Sequence, residues 1–280
     1  MEPGLAVKVS QMLGPLPSAL AAPSIWYAAV LVPNRNPGGN RGTLSGCDSP
    51  TGTICHVPVA IRRGTDRFVE RLPGRLTAHA FSFGSSYDAE HVRFGPMVCH
   101  DDHLLRVGEG FPPHDHAGLV IVTWVVSGAV AHSGPGGDAR LEPGQLGVLR
   151  TGAGVMHAEV AAAPQTRFVQ VWLTDPDADT GTAAAEPSYD VTTPALPPGE
   201  LVPVATPIPG ASLSVVRLGD HETVTIPAAP RTHVFVARGA LLRSSLAEPL
   251  HEGDAFLFTD EPDTELTAGV PSELLVWSFS

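Results

Sequence analysis

Two short motifs, His114-Asp115-His116 and, 41 residues after His116, His157-Ala158-Glu159, constrain this chain more than any other feature. Each holds a pair at i and i+2, positions that an extended strand turns to one face and a helix turns apart. The pairs can act together only if the chain forms strands here and sets them side by side. Three imidazoles and a carboxylate gathered that way make a nitrogen/oxygen site for a divalent first-row ion. Satisfied core histidines are the plainer reading, but burying all four groups without a metal would leave costly unmet polar atoms. Gly152-Ala153-Gly154, just before the second pair, lets the backbone turn sharply and aim the following side chains inward.

The remaining pattern is consistent with strands. Leu76 to Phe83 alternates, Ile121 to Val126 is a nearly continuous apolar run suited to a strand covered on both faces, and Phe168 to Leu173 is another strand. Gly128, Pro135-Gly136-Gly137-Asp138 and Pro143-Gly144 punctuate the chain at close intervals. No stretch from Val57 onward sustains a helical period, so an all-β sandwich or barrel is predicted. Residues 1–57 read differently. Asn34 to Thr53 is rich in Gly, Asn, Pro and Ser without apolar periodicity, and this region is expected to be a disordered extension.

Asp175 to Gly210 is proline-rich and reads as a linker with room for short strands. Beyond it the second half echoes the first. Val125-Val126-Ser127-Gly128-Ala129-Val130 matches Val236-Ala237-Arg238-Gly239-Ala240-Leu241, and Leu141-Glu142-Pro143-Gly144 matches Leu250-His251-Glu252-Gly253. Val169 to Trp172 matches Leu274 to Trp277, an internal duplication. The ligand positions do not survive it: His114 falls opposite Thr225 or Thr223, and Glu159 opposite Ala268. The expected division is an extension over 1–57, a metal-binding domain over 58–180, and a linker with a degenerate second domain over 181–280.

Several function classes have nothing to rest on. Seventeen Lys+Arg against 29 Asp+Glu give a net charge of −12, which repels nucleic-acid phosphates. There is no P-loop, no GxGxxG in a βαβ setting and no GxSxG elbow. Cys47, Cys55 and Cys99 form no CxxC and read as incidental or buried thiols of a reducing compartment. Met12 to Val32 is apolar, but prolines interrupt it and no unbroken run reaches the ~20 residues a bilayer needs. It also lacks a strong basic start and a clear cleavage site, so a cytoplasmic protein without membrane contact is expected.

Phe111 to Gly118, Val126 to His132, Thr151 to Glu159 and the upstream Ala80-Phe81-Ser82-Phe83-Gly84-Ser85-Ser86-Tyr87-Asp88 resemble the pirin family of bicupins, over about Ile61 to Asp177 and more loosely beyond. The resemblance implies two tandem jelly-roll cupin barrels with one mononuclear metal in the first. Its ligands would fall on His114, His116, His157 and Glu159, with iron favoured and Mn, Co, Ni, Cu or Zn as alternatives. Ala117 and Val120 stand where the family commonly has an Arg and an acidic residue, and Ala80 stands where it has a Ser, so the surroundings of the metal differ.

The resemblance further implies quercetin 2,3-dioxygenase chemistry, with a flavonoid substrate and O2 as partners and Glu159 as base or as a ligand that swings off. The alternative it leaves open is a non-enzymatic metal- or redox-sensing binding protein. Gln170, a lone polar residue in an apolar strand, either satisfies a buried backbone group or lines the pocket, and Phe81, Phe83 and Phe111 are candidate aromatic walls. His132 reads as a surface or outer-shell residue, His100-Asp101-Asp102-His103 as a solvated polar hairpin, and His221, His233 and His251 as residues without partners. A monomer is expected.

Overall fold

Short apolar runs broken by closely spaced turns leave no room for helices, and the chain folds as strands. The computed structural model describes residues 59–174 and 186–280. The expected disordered extension, with Cys47 and Cys55, lies outside the described residues, whereas Cys99 is a buried free thiol. Among the described residues helix is confined to one 3-10 turn at Gly64–Asp66. The fold is all-β, two cupin barrels in tandem.

In the first half a seven-stranded antiparallel sheet is joined by a four-stranded one. The larger has the spatial order Ser188–Thr192, Leu146–Arg150, Leu119–Ser127, Thr166–Thr174, Met97–Leu105, Arg75–His79, Phe68–Leu72. The smaller runs Gly110–His116, Val155–Ala161, Val130–Ser133, Ala139–Leu141. Pro112 and Pro113 sit on its edge strand, where a missing N–H breaks no central ladder. Val120 to Val126 is buried throughout, as a strand covered on both faces requires. The second half is built on a six-stranded sheet, Val59–Arg62, Ala255–Thr259, Arg231–Arg238, Ser272–Phe279, Ala211–Leu218, Val202–Ile208. One strand crosses in each direction. Val59–Arg62 pairs with Ala255–Thr259, and Ser188–Thr192, from the proline-rich segment read as linker, pairs with Leu146–Arg150.

The duplication is visible atom by atom. Gly128 and Gly239 both take positive φ, 71° and 80°, and an added Cβ would meet Thr166 or Ser272 within 2.5 Å. Thr166 Oγ1 accepts from Ala129 N, its one proton shared between Ala163 O at 2.7 Å and Ala129 O at 3.0 Å. Ser272 Oγ accepts from Ala240 N, its proton shared between Val270 O at 2.7 Å and Ala240 O at 3.1 Å. In both halves a hydroxyl thus clasps the residue after a glycine turn.

The two large sheets share a core. Trp124, Val126, Val169 and Val171 pack in one cluster with Phe235, Leu275 and Trp277. Each large side chain fully withdrawn from water contributes ~1.5–3 kcal/mol. Across this layer Trp124 Nε1 donates to Glu273 Oε1 at 2.9 Å, and Arg217 Nε donates to the other oxygen at 2.7 Å, so the buried carboxylate is paired.

The polar run His100-Asp101-Asp102-His103 is not a solvated hairpin. It lies within the strand Met97–Leu105, and His100, Asp101 and His103 are all buried. Alternation sends its members to two different interiors. Asp101 bonds His79 Nδ1 at 2.8 Å, and His103 bonds Thr77 at 2.9 Å and packs on Phe111 and Phe168. On the opposite face Asp102 accepts a bidentate pair from Arg167 at 2.9 and 2.7 Å, and His100 packs on His233 and Phe235. His233, read as partnerless, is therefore buried against His100. Polar residues are stable in a covered strand here because partners on neighbouring strands satisfy most of them.

Candidate metal centre

The strands Gly110–His116 and Val155–Ala161 are direct neighbours in the smaller sheet, with His157 opposite His114 and Val155 opposite His116. One i, i+2 pair from each strand then projects from the same face. One ring nitrogen from each of His114, His116 and His157 lies within 4.8 Å of the others. The rings pack at centroid distances of 4.5 to 5.1 Å.

The state of the individual nitrogens fits a metal ion. His114 Nδ1 donates to Pro112 O at 2.8 Å, which leaves its Nε2 with a free lone pair. His116 Nε2 and His157 Nε2 are buried and have no hydrogen-bond partner. Burial lowers the pKa of His116 to about 4 and that of His157 to about 2, reinforced by the neighbouring imidazoles. Three converging imidazoles, two of them with a buried and unsatisfied Nε2, form a donor set of the kind that suits a transition ion.

Glu159 is not among these mutually close donors. A register shift between His157 and Glu159 places it opposite Phe111 on one side and His132 on the other. Its carboxylate is buried and clamped by Gln170, whose Nε2 lies 2.8 and 2.9 Å from the two oxygens. Trp172 Nε1 donates to Gln170 Oε1 at 2.9 Å, so the amide presents its NH2 end to Glu159. Burial raises the carboxyl pKa to about 7, opposed by the bonds from Gln170 and Thr123. The Trp172 ring also meets His116 edge-on at 4.8 Å, which joins this hydrogen-bonded chain to the imidazole cluster.

The aromatic candidates separate. Phe111 packs beside His103 and 6.2 Å from His114. Phe83 stacks on His79 and meets Trp172 at 5.8 Å, whereas Phe81 is buried in the core between the sheets. His132 is buried, with Nε2 3.2 Å from His157 Nδ1, and is not a surface residue. Tyr189 stacks on His132 at 3.6 Å. Only its place in a proline-rich segment was visible beforehand; no local pattern links it to residues 57 positions upstream.

An all-β pair of barrels with a histidine cluster between two strands of the first is a cupin whose first barrel carries a triad that could hold a metal ion. The pirin family profile matches residues 63–173. A Mycobacterium tuberculosis protein provisionally named quercetin 2,3-dioxygenase is 37% identical over 235 residues, covering 79% of this chain and 95% of that one. The chain belongs to the pirin family. In fold it is similar to the Escherichia coli pirin YhhW in complex with nickel(II), with a TM-score of 0.70, 21% identity and coverage of 79% of this chain and 98% of that one. A quercetin 2,3-dioxygenase from Acinetobacter baumannii gives a TM-score of 0.60 at 20% identity, covering 76% and 83%.

Proposed function

We propose that this pirin is a metal-dependent dioxygenase that opens quercetin-type flavonols with O2. The observation that carries the reading is the convergence of three imidazoles, two of which, His116 and His157, turn a buried, unsatisfied Nε2 toward the cluster. His114, His116, His157 and Glu159 would hold one divalent ion in the first barrel, while the second lacks the motif and would serve as a partner barrel. Iron is the first choice, with Mn, Co, Ni, Cu or Zn served by the same donors. The bound ion would supply Lewis acidity and a redox centre for O2.

The chain's own residues do the rest. Glu159, a buried carboxylate with a pKa near neutrality, would take the proton of the flavonol 3-hydroxyl, as base or after leaving the metal. Gln170 holds both carboxylate oxygens and is in turn fixed by Trp172, so the proton acceptor starts from one orientation. Phe111 and Phe83 would bracket a flat aromatic substrate, with Phe81 supporting them from the core. The overall reaction consumes one O2, breaks both the C2–C3 and the C3–C4 bonds of the flavonol and releases C3 as carbon monoxide, the two oxygen atoms staying on C2 and C4 of the depside.

The test is aerobic incubation of the metal-loaded protein with quercetin, followed by loss of flavonol absorbance. Glu159→Gln is expected to keep bound metal and to lower turnover by ~10²–10⁴-fold. Unchanged turnover removes the base role. No flavonol loss with any of the six ions replaces the enzyme reading with that of a metal- or redox-sensing binding protein.

A further inference from the structure

Beyond the four candidate ligands, the first barrel holds a buried histidine that the proposed chemistry leaves unused. His132 lies on Val130–Ser133, the strand next to Val155–Ala161 on the side away from His114, and directly opposite Glu159. Its Nε2 is 3.2 Å from His157 Nδ1, while its own Nδ1 is buried without a partner. The Tyr189 ring covers it at 3.6 Å with only 11° between the planes. The fit has been made tight from behind. A Cβ on Gly147 would stand 2.4 Å from Tyr189 Oη, and one on Gly134 would stand 2.9 Å from His157 Cβ and 3.2 Å from His132 Cε1.

We propose that His132, held in place by Tyr189, is a positioning residue that sets the tautomer of His157 and so makes His157 a metal ligand. The inference rests on the metal reading above. The reasoning is a proton count. A neutral imidazole carries one N–H, so the contact can run in only two ways. If His132 Nε2 donates, His157 carries its proton on Nε2, the nitrogen whose lone pair a metal would need. If His157 Nδ1 donates, its Nε2 is free to coordinate, and His132 must hold its own proton on Nδ1. Only the second arrangement is compatible with a metal. His132 is then to His157 what the carbonyl of Pro112 is to His114, an acceptor behind the ligand that fixes ring orientation and raises basicity. Tyr189 comes from Ser188–Thr192, so the segment after the first barrel completes the metal site from behind.

The test uses the full chain with Ni(II) as the probe, its affinity read by competition with a chelator. His132→Phe, which keeps a ring but has no acceptor, is expected to weaken Ni(II) binding by ~10–100-fold. His132→Gln, whose carbonyl can still accept, should stay much closer to wild type. Tyr189→Phe keeps the stack and should bind as wild type does. An affinity of His132→Phe equal to wild type overturns the proposal, and so do equal losses in the Phe and Gln variants, which would mean packing alone. Should the variants not fold, the imidazole nitrogen spectrum of the metal-free wild type still decides. A proton on His157 Nδ1 supports the proposal, and one on Nε2 overturns it. Failure of the wild-type protein to bind Ni(II) or Zn(II) at all sinks the metal reading itself, and this inference with it.

Discussion

His103 and His233 are held neutral by burial, with pKa values near 4 and 3 against an ordinary value of 6.5. Their unfolded counterparts take up a proton near pH 6.5, so below that pH the unfolded chain binds more protons than the folded one. Stability contributed by these groups is therefore complete above about pH 6.5 and drains away as the pH falls toward 4 and 3, at up to ~1.4 kcal/mol per pH unit for each group. The chelated protein is expected to show a melting temperature that drops steadily from pH 6.5 to 4, and His233→Leu should flatten the slope. An unaltered slope in that variant would assign the acid sensitivity to other groups. At this scale, local spacing carried most of the information. His114, His116, His157 and Glu159 stood out because i, i+2 is a relation within one strand. The Gln170 clamp on Glu159 and the stack of Tyr189 on His132 depend on pairings between strands, for which a single sequence offers no spacing to read.

Within the elements, the matched hydroxyl clasps explain why turns of similar composition recur in both halves. Thr166 and Ser272 each accept from the N–H of the residue following a left-handed glycine and donate to a nearby carbonyl, so the turn and the strand that opens beside it are fixed together. Ser272→Ala leaves the N–H of Ala240 without this partner, while its carbonyl keeps Gly269 N at 2.8 Å, and a loss of ~1–3 kcal/mol is expected. Urea unfolding should show a lower midpoint with an unchanged slope; a midpoint equal to wild type would mean that water replaces the hydroxyl without loss. The strands themselves were largely legible from apolar alternation and Gly/Pro punctuation. Met97–Leu105 was not, because His-Asp-Asp-His reads as turn chemistry unless Arg167, His79 and His233 are known to lie beside it. Ser188–Thr192 was hidden for a similar reason: flanking prolines suggested a linker, and only its pairing with Leu146–Arg150 makes it a strand.

Over the whole molecule, the core shared between the large sheets ties the proposed metal site to global stability. An ion that binds only the folded state stabilises it by mass action, about 2.7 kcal/mol at a hundred-fold excess over its dissociation constant. With Trp124, Phe235 and Trp277 in one cluster, that gain should appear as a shift of a single melting transition. Calorimetry with and without Ni(II) checks this, and His114→Ala should abolish the shift. A metal-dependent transition that separates from a metal-independent one would show that the halves melt apart.

The crossed strands carry a consequence for inheritance. Val59–Arg62 completes the sheet of the far half, while Ser188–Thr192 completes that of the near half and brings Tyr189 with it. Neither half can be shuffled into another gene at the join between them without forfeiting a border strand. Recombination is thus pressed to keep both together, and the half without the histidine motif persists as an obligate companion.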